Sequence, residues 1–286
     1  MWKSLNGLAR IVRPLNCVMF FSGTVVGGII VAGAGALQWP GNTPLILASV
    51  SATLVGASGN VINDLYDVEI DRLNRPMRPL PSGIVTPNQG RILWLVLAIS
   101  GLSVALLVSA LHLAIAASSV VLLVAYSARL KSVSLIGNLV VSTVVATSLV
   151  YGALSIGGAA LAIPAAIFAL VTTMSRELVK DIEDLHGDRA RGVGSFAVRA
   201  GTARSAHLAA ALLLVTIGLT PTPYLVMGYG GLYLLLMLVS NGFLLSAVWR
   251  VLHTDSEKSA TRASSNIKAA MIIGLAALAA SGVGAA

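Results

Sequence analysis

Apolar runs of about 20 residues recur along almost the whole chain, and each is long enough to cross the ~30 Å hydrocarbon core of a bilayer as a helix. No other feature restricts the fold so strongly, because a backbone inside lipid must satisfy its own polar groups, which leaves α-helices or closed barrels. Strand-length segments of alternating polarity, the mark of a membrane barrel, do not occur. Composition agrees: 56% of the 286 residues are hydrophobic and 10% are charged, with a mean hydropathy of +0.88, whereas soluble domains carry about 25% charged residues. The expected fold class is all-α, a polytopic membrane protein forming a single transmembrane domain over residues 1–286.

About nine spans can be marked, near residues 16–37, 44–62, 91–110, 113–128, 138–156, 161–174, 205–219, 224–251 and 267–283. The apolar run after Cys17 is longer than the core of a signal peptide, so an uncleaved first helix is expected. Before it, residues 2–12 read either as a short amphipathic helix in the interface or as a frayed tail. Cys17 is the sole cysteine, which excludes an intramolecular disulfide and a cysteine-based metal site.

Charge fixes the topology. With nine spans, all 19 Lys and Arg residues and all 11 acidic residues fall in the loops or helix ends of one side. The positive-inside rule makes that side cytoplasmic, together with the N-terminus, in a multi-pass cell-membrane protein. The net charge of +8 is thereby a matter of topology rather than of nucleic-acid binding. Its surplus would also attract anionic substrates and membrane lipids.

Asn60, Asp64, Asp67 and Asp71 stand at the cytoplasmic end of the second span. On a helix turning ~100° per residue they fall within an arc of roughly 60°, so one face presents an amide and three carboxylates. Glu177, Asp181, Asp184 and Asp188 repeat the spacing 117 positions later, at the cytoplasmic end of the sixth span. Segments 60–71 and 177–188 thus read as halves of a pseudo-repeat that could gather six aspartates around one cavity. Clustered carboxylates at a membrane interface require positive compensation. Hard oxygen donors, without a Cys or His pair, point to Mg²⁺, which binds few carboxylates and leaves positions for phosphate oxygens. The alternative is a solvated acidic helix end paired with Arg72, Arg75, Arg189 and Arg191.

Arg72, Arg75 and Arg78 follow the first segment, Arg176 and Lys180 belong to the second, and Lys131 follows the fourth span. Their donors suit phosphate oxygens; Arg78, Lys131 and Lys180 are the preferred substrate contacts. Asn16 either reaches the site or caps its helix. Tyr126 and Tyr151 read by default as interfacial belt residues. His186 reads as a polar loop residue, and His112, His207 and His253 lie at span ends without an evident role.

The run from Asn60 through Asn63, Asp64, Asp67 and Asp71, followed by Asn74-Arg75-Pro76-Met77-Arg78-Pro79-Leu80-Pro81-Ser82-Gly83, resembles the signature of the UbiA superfamily of intramembrane prenyltransferases. Tyr126-Ser127 to Lys131, Gly137-Asn138 and the nine-span layout fit the same family. The resemblance implies helices around a central cavity with cytoplasmic cap loops, Mg²⁺ as cofactor, and a prenyl diphosphate donor. It implies metal-binding and catalytic roles for Asp64, Asp67, Asp71, Asp181, Asp184 and Asp188. Substrate contacts would come from Asn16, Asn60, Asn63, Arg72, Arg78, Tyr126, Lys131 and Lys180. The stretch from Arg176 to Asp188 is most similar to that of archaeal members acting in ether-lipid synthesis. That implies geranylgeranyl transfer from geranylgeranyl diphosphate to the hydroxyl of geranylgeranylglyceryl phosphate. An aromatic acceptor such as 4-hydroxybenzoate is the alternative within the family. An ion-coupled transporter is the alternative outside it, although its carboxylates would stand nearer the midplane. A CDP-alcohol phosphotransferase would need a D-G-x-x-A-R motif, which this chain lacks.

Overall fold

Proline supplies the first turn of helix after helix, where its missing N–H costs no bond and its fixed φ suits the helix. The computed structural model describes residues 2–190, 192–253 and 257–283. The chain runs through α1 (Trp2–Ile11), α2 (Pro14–Ala32), α3 (Thr43–Tyr66), α4 (Val68–Asn74), α5 (Pro87–Val108), α6 (Ala110–Ala128) and α7 (Ser134–Ser155). It continues as α8 (Ile163–Glu183), α9 (Leu185–Ala190), α10 (Phe196–Ala200), α11 (Thr202–Leu219), α12 (Thr222–Met227), α13 (Gly231–His253) and α14 (Glu257–Val283). Pro begins α2, α3, α5, α8 and α12 at the first or second position. Nine helical spans among the described residues are long and apolar enough to cross a membrane, so the chain is a multi-pass, all-α membrane protein.

Boundaries differ from the sequence expectation where polar residues continue a helix. The third span starts at Pro87, because Thr86 and Gln89 form a capping box in front of it. The sixth extends through its charged end to Glu183, and α14 begins ten residues before the apolar run at 267. The expected span 224–251 divides into α12 and α13. Gly228 ends α12 at φ +72°, a left-handed conformation that glycine takes without a Cβ clash.

Packing closes a ring: α2 lies against α3, α3 against α6, then α7, α8, α11, α13 and α14 follow, and α14 returns to α2. Helix α5 packs outside on α3. Across the ring α2 crosses α7 at close range. A Cβ at Gly152 would stand 1.7 Å from the Thr24 carbonyl oxygen, and one at Gly27 would stand 1.9 Å from that of Leu149. Small residues thus let two backbones touch where lipid gives helices no hydrophobic reason to associate. On the far side from the charged loops, Tyr151 is buried, hydrogen-bonded to Ser51 at 3.1 Å and edge-on to His112. It is an interior tie rather than a belt residue, because Ser51 and His112 offer its hydroxyl and ring partners inside the bundle. His112 joins that tie through the Tyr151 carbonyl at 3.1 Å.

At the charged side, α1 is held by Ile11, which is buried with Val61, Leu80 and Val85. The amphipathic N-terminal helix therefore packs on the loop after the first aspartate segment, and its end delivers Arg13 and Asn16 to the head of α2.

Candidate active site

Both aspartate segments lie where a membrane-length helix breaks into a short one. Asp67 separates α3 from α4, and Asp184 separates α8 from α9. The i to i−4 bonds continue through the breaks: Asp67 N–H to Asn63 at 3.0 Å, Asp71 to Asp67 at 2.8 Å, Asp184 to Lys180 at 2.8 Å, and Asp188 to Asp184 at 3.0 Å. The carboxylates stay roughly aligned although the helix is interrupted.

In the first segment Asp64 and Asp71 are almost fully buried, at 5% and 4% exposure. Arg13 forms an ion pair with Asp64. Arg78 Nη1 stands 2.6 Å from Asp71 Oδ2 and 3.5 Å from Asp64 Oδ1, so two carboxylates converge on one cationic atom. Asp67 pairs with Lys131 and accepts from Asn63 at 2.9 Å. Burial pushes the Asp71 carboxyl above the ordinary carboxylate range, against the pull of Arg78. Burial also acts against the Arg78 guanidinium, but Asp64, Asp71 and Asp67 outweigh it and hold that group above its usual value.

In the second segment Asp181 accepts from Asn138 at 3.0 Å and from the Phe196 N–H at 3.2 Å. Asp184 receives Arg75 Nη2 at 3.0 Å, and the same guanidinium lies 3.8 Å from Glu183. Arg75 therefore ties the loop of the first segment to the second. Glu177, 5% exposed, takes Arg176 and Lys180 at 3.0 Å each. Asp188 is half-buried, and Arg191 lies outside the described residues.

These groups close one end of a cavity of about 420 Å³. Its trunk is apolar, walled by Phe20 and Gly23 on α2, Gly56 and Gly59 on α3, Leu123 on α6, Val144 on α7, Phe168 on α8 and Met271 on α14. Of the expected contacts, Asn16, Asn60, Asn63, Arg78, Tyr126 and Lys180 line it. Lys131 reaches the site through Asp67. Arg72 is not brought to it: one residue beyond the inward-facing Asp71, it turns ~100° away and pairs with exposed Glu69. None of the six aspartates lines the cavity itself; basic and amide side chains cover Asp64, Asp67, Asp71, Asp181 and Asp184. Among the described residues no three acidic, cysteine or histidine side chains are grouped closely enough to hold a metal ion by themselves.

The cavity also gathers Arg13, Arg75, Arg176 and Lys268. Arg13 and Arg176 looked topological in the sequence, and Lys268 was hidden at the start of an apolar run. Arg13 has φ +55°, rare for a residue bearing a side chain, and it clasps Asp64. Lys268 Nζ donates to Asn16 Oδ1 at 3.3 Å, and Asn16 in turn donates to Asn60 at 3.3 Å.

An apolar trunk capped by paired carboxylates and cations is the architecture of a membrane-embedded enzyme for substrates with a charged head and a hydrocarbon tail. The chain belongs to the UbiA prenyltransferase family, whose sequence profile matches residues 21–279; it is a prenyltransferase. It is 38% identical over 277 residues to digeranylgeranylglyceryl phosphate synthase of Methanopyrus kandleri, covering 97% of this chain and 99% of that one. A solved structure of a digeranylgeranylglyceryl phosphate synthase superposes with a TM-score of 0.76 at 28% identity, covering 99% of each chain. A UbiA homologue from Archaeoglobus fulgidus, bound to DMAPP and Mg²⁺, shares the fold with a TM-score of 0.69 at 19% identity, over 95% of this chain and 98% of that one.

Proposed function

We propose that this protein transfers a geranylgeranyl group from geranylgeranyl diphosphate to the free hydroxyl of geranylgeranylglyceryl phosphate, with Mg²⁺ as cofactor. The observation that carries the reading is the pair of aspartate-bearing helix breaks beside Arg13, Arg75, Arg78 and Lys180 at the end of an apolar cavity. Relatives at this level of similarity over nearly the whole chain support the ether-lipid acceptor over an aromatic one. A transporter is disfavoured because the carboxylates sit at helix ends in arginine-rich loops rather than at the midplane.

The donor set suits the metal. Asp64 and Asp71 present hard oxygens to the same cationic atom of Arg78, a place where a divalent ion could substitute. Mg²⁺ characteristically takes one or two carboxylates and completes its shell with water and phosphate oxygens, so a preformed cage is not required. Asp64, Asp67 and Asp71 would hold one ion, and Asp181, Asp184 and Asp188 a second. Bound there, Mg²⁺ would neutralise the diphosphate and stabilise charge on it as it departs.

The protein's own groups do the rest. Arg13, Arg75 and Arg78, released from their carboxylates, can turn their N–H groups to phosphate oxygens. The bond between the prenyl C1 and the diphosphate oxygen breaks, and the acceptor oxygen bonds to C1. Inorganic diphosphate and one proton leave. The apolar walls hold the prenyl tail and exclude water from the cation-like carbon. Both substrates would arrive laterally from the bilayer, and the charged loops would face the cytoplasm in the cell membrane.

The test is to incubate the purified protein with labelled geranylgeranyl diphosphate, Mg²⁺ and one acceptor at a time, with EDTA controls. A Mg²⁺-dependent diether phosphate is expected. Product from 4-hydroxybenzoate alone would move the enzyme to quinone synthesis, and no product from either acceptor with folded protein would overturn the reading.

A further inference from the structure

A lysine inside a membrane helix is costly unless something anionic meets it. Lys268 stands well inside α14 yet level with Asn16, near the head of α2. The charged groups that act on it are Arg176, Arg13 and Lys180, all cations. Each of these already has a carboxylate: Arg13 has Asp64, while Arg176 and Lys180 share Glu177. Lys268 forms no ion pair among the described residues, and its one hydrogen bond, to neutral Asn16, is long.

Two further donors belong to residues of the same cavity and have no hydrogen-bond partner among the described residues. Arg176 Nε and Thr173 Oγ1, about one turn apart on α8, are buried and make no hydrogen bond among the described residues; both residues line the cavity, as does Lys268. Helices α8 and α14 pack directly together. Buried donors left unmade cost more than a hydrogen bond returns, so their alignment calls for an acceptor-rich group. Below Lys268 the same face of α14 continues as Met271, Leu275 and Leu278, spaced three, seven and ten residues on, a stripe that suits a hydrocarbon chain.

We propose that Lys268, with Arg176 Nε and Thr173 Oγ1, binds the phosphate of the acceptor, whose chain lies along the Met271–Leu278 face of α14. This site adjoins the diphosphate site of the two aspartate segments, whose Arg13 and Lys180 lie near Lys268, and the inference rests on the function proposed above. Hydrogen bonds run from Lys268 through Asn16 to Asn60, and Asp64 stands one turn beyond Asn60. A phosphate held at Lys268 therefore directs a nearby glycerol hydroxyl toward the donor end. Lys268 is a specificity-determining residue in this scheme: it distinguishes a phosphorylated acceptor from a neutral alcohol of the same shape.

The experiment compares wild type, Lys268→Met, Lys268→Arg and Thr173→Val in detergent, measuring KM separately for donor and acceptor. The acceptors are geranylgeranylglyceryl phosphate and its dephosphorylated alcohol. Lys268→Met is expected to raise KM for the phosphorylated acceptor by roughly 10- to 100-fold, the loss of a charged hydrogen-bond partner. Thr173→Val should raise it less, and Lys268→Arg should recover most of it. KM for geranylgeranyl diphosphate should stay within about twofold of wild type, which also reports an intact site, and the neutral alcohol should not distinguish wild type from Lys268→Met. An unchanged acceptor KM in Lys268→Met, or a parallel rise in donor KM, overturns the assignment while wild-type turnover leaves the proposed function standing. Failure of the wild type itself on the phosphorylated acceptor overturns both.

Discussion

Asp67 and Asp184, 117 positions apart, adopt the same backbone conformation at the same point of their helices: φ −93°, ψ 4° and φ −94°, ψ 8°. Each ends a membrane-length helix and precedes a short one, and each keeps its N–H bonded four residues back. Equivalent breaks place Asp64 and Asp181 three residues before the turn in both segments. Asp64 is clasped by Arg13 and Asp181 by Asn138, so the two positions are alike in backbone but differ in the charge that covers them.

From that equivalence, Asp64→Asn and Asp181→Asn should each abolish prenyl transfer, by a factor of about 100 or more if each removes a ligand acting in the transition state. Both variants should insert and melt cooperatively, since asparagine keeps the shape of the side chain and one of its acceptor oxygens. Turnover is measured with saturating donor and Mg²⁺, and folding by size-exclusion and thermal melting. Wild-type turnover in either folded variant would remove that residue from the metal set.

Chelation should stop turnover without unfolding the protein. Where a zinc finger depends on its ion for structure, these carboxylates are already compensated: Asp64 by Arg13 and Arg78, Asp67 by Lys131, Asp71 by Arg78 and Asp184 by Arg75. With EDTA the melting temperature should move by no more than a few degrees, corresponding to about 1 kcal/mol or less, while product formation falls to background. A collapse of the melting transition on chelation would mean that the ions are structural.

The membrane spans and their number were legible in the sequence, because lipid imposes length. So was the aspartate spacing, because 3.6 residues per turn makes 60, 64, 67 and 71 one face. What the spacing could not reveal was that Asp67 and Asp184 interrupt their helices, or that Asp64 and Asp181 would be covered by neighbours remote in sequence, Arg13 and Asn138. Lys268 was illegible for a related reason. A lone lysine at the edge of an apolar run has the same signature whether it marks topology or faces a cavity, and only the packing of α14 on α8 and α2 decides. Arg72 failed in the opposite direction: it neighbours Asp71 in sequence, but on a helix adjacent residues face apart.

Arg72→Ala should therefore leave kcat/KM for both substrates within about twofold of wild type. Its partner Glu69 is 78% exposed at the side chain, and exposed pairs contribute ~0–1 kcal/mol. Arg78→Ala, six residues on, should be severely impaired, because that guanidinium bridges Asp64 and Asp71. Parallel steady-state kinetics on the two variants separates them; comparable losses would mean that Arg72 swings inward during turnover.

Gly152→Ala tests the frame rather than the chemistry. The added methyl would stand 1.7 Å from the Thr24 carbonyl oxygen and 2.6 Å from its carbon, and backbone atoms cannot rotate out of the way as a side chain can. Helices α2 and α7 must then separate, losing contact along both. Overpacking of this kind costs about 1–3 kcal/mol, so the detergent-solubilised variant should melt several degrees below wild type. Because α2 carries Asn16 and α7 carries Asn138, the partner of Asp181, the same displacement should lower turnover at temperatures where the variant remains folded. Gly35→Ala, with no atom within 4 Å of the added carbon, is the matched control and should do neither. A Gly152→Ala variant with wild-type melting and turnover would mean that the two helices have more room than their crossing distance implies.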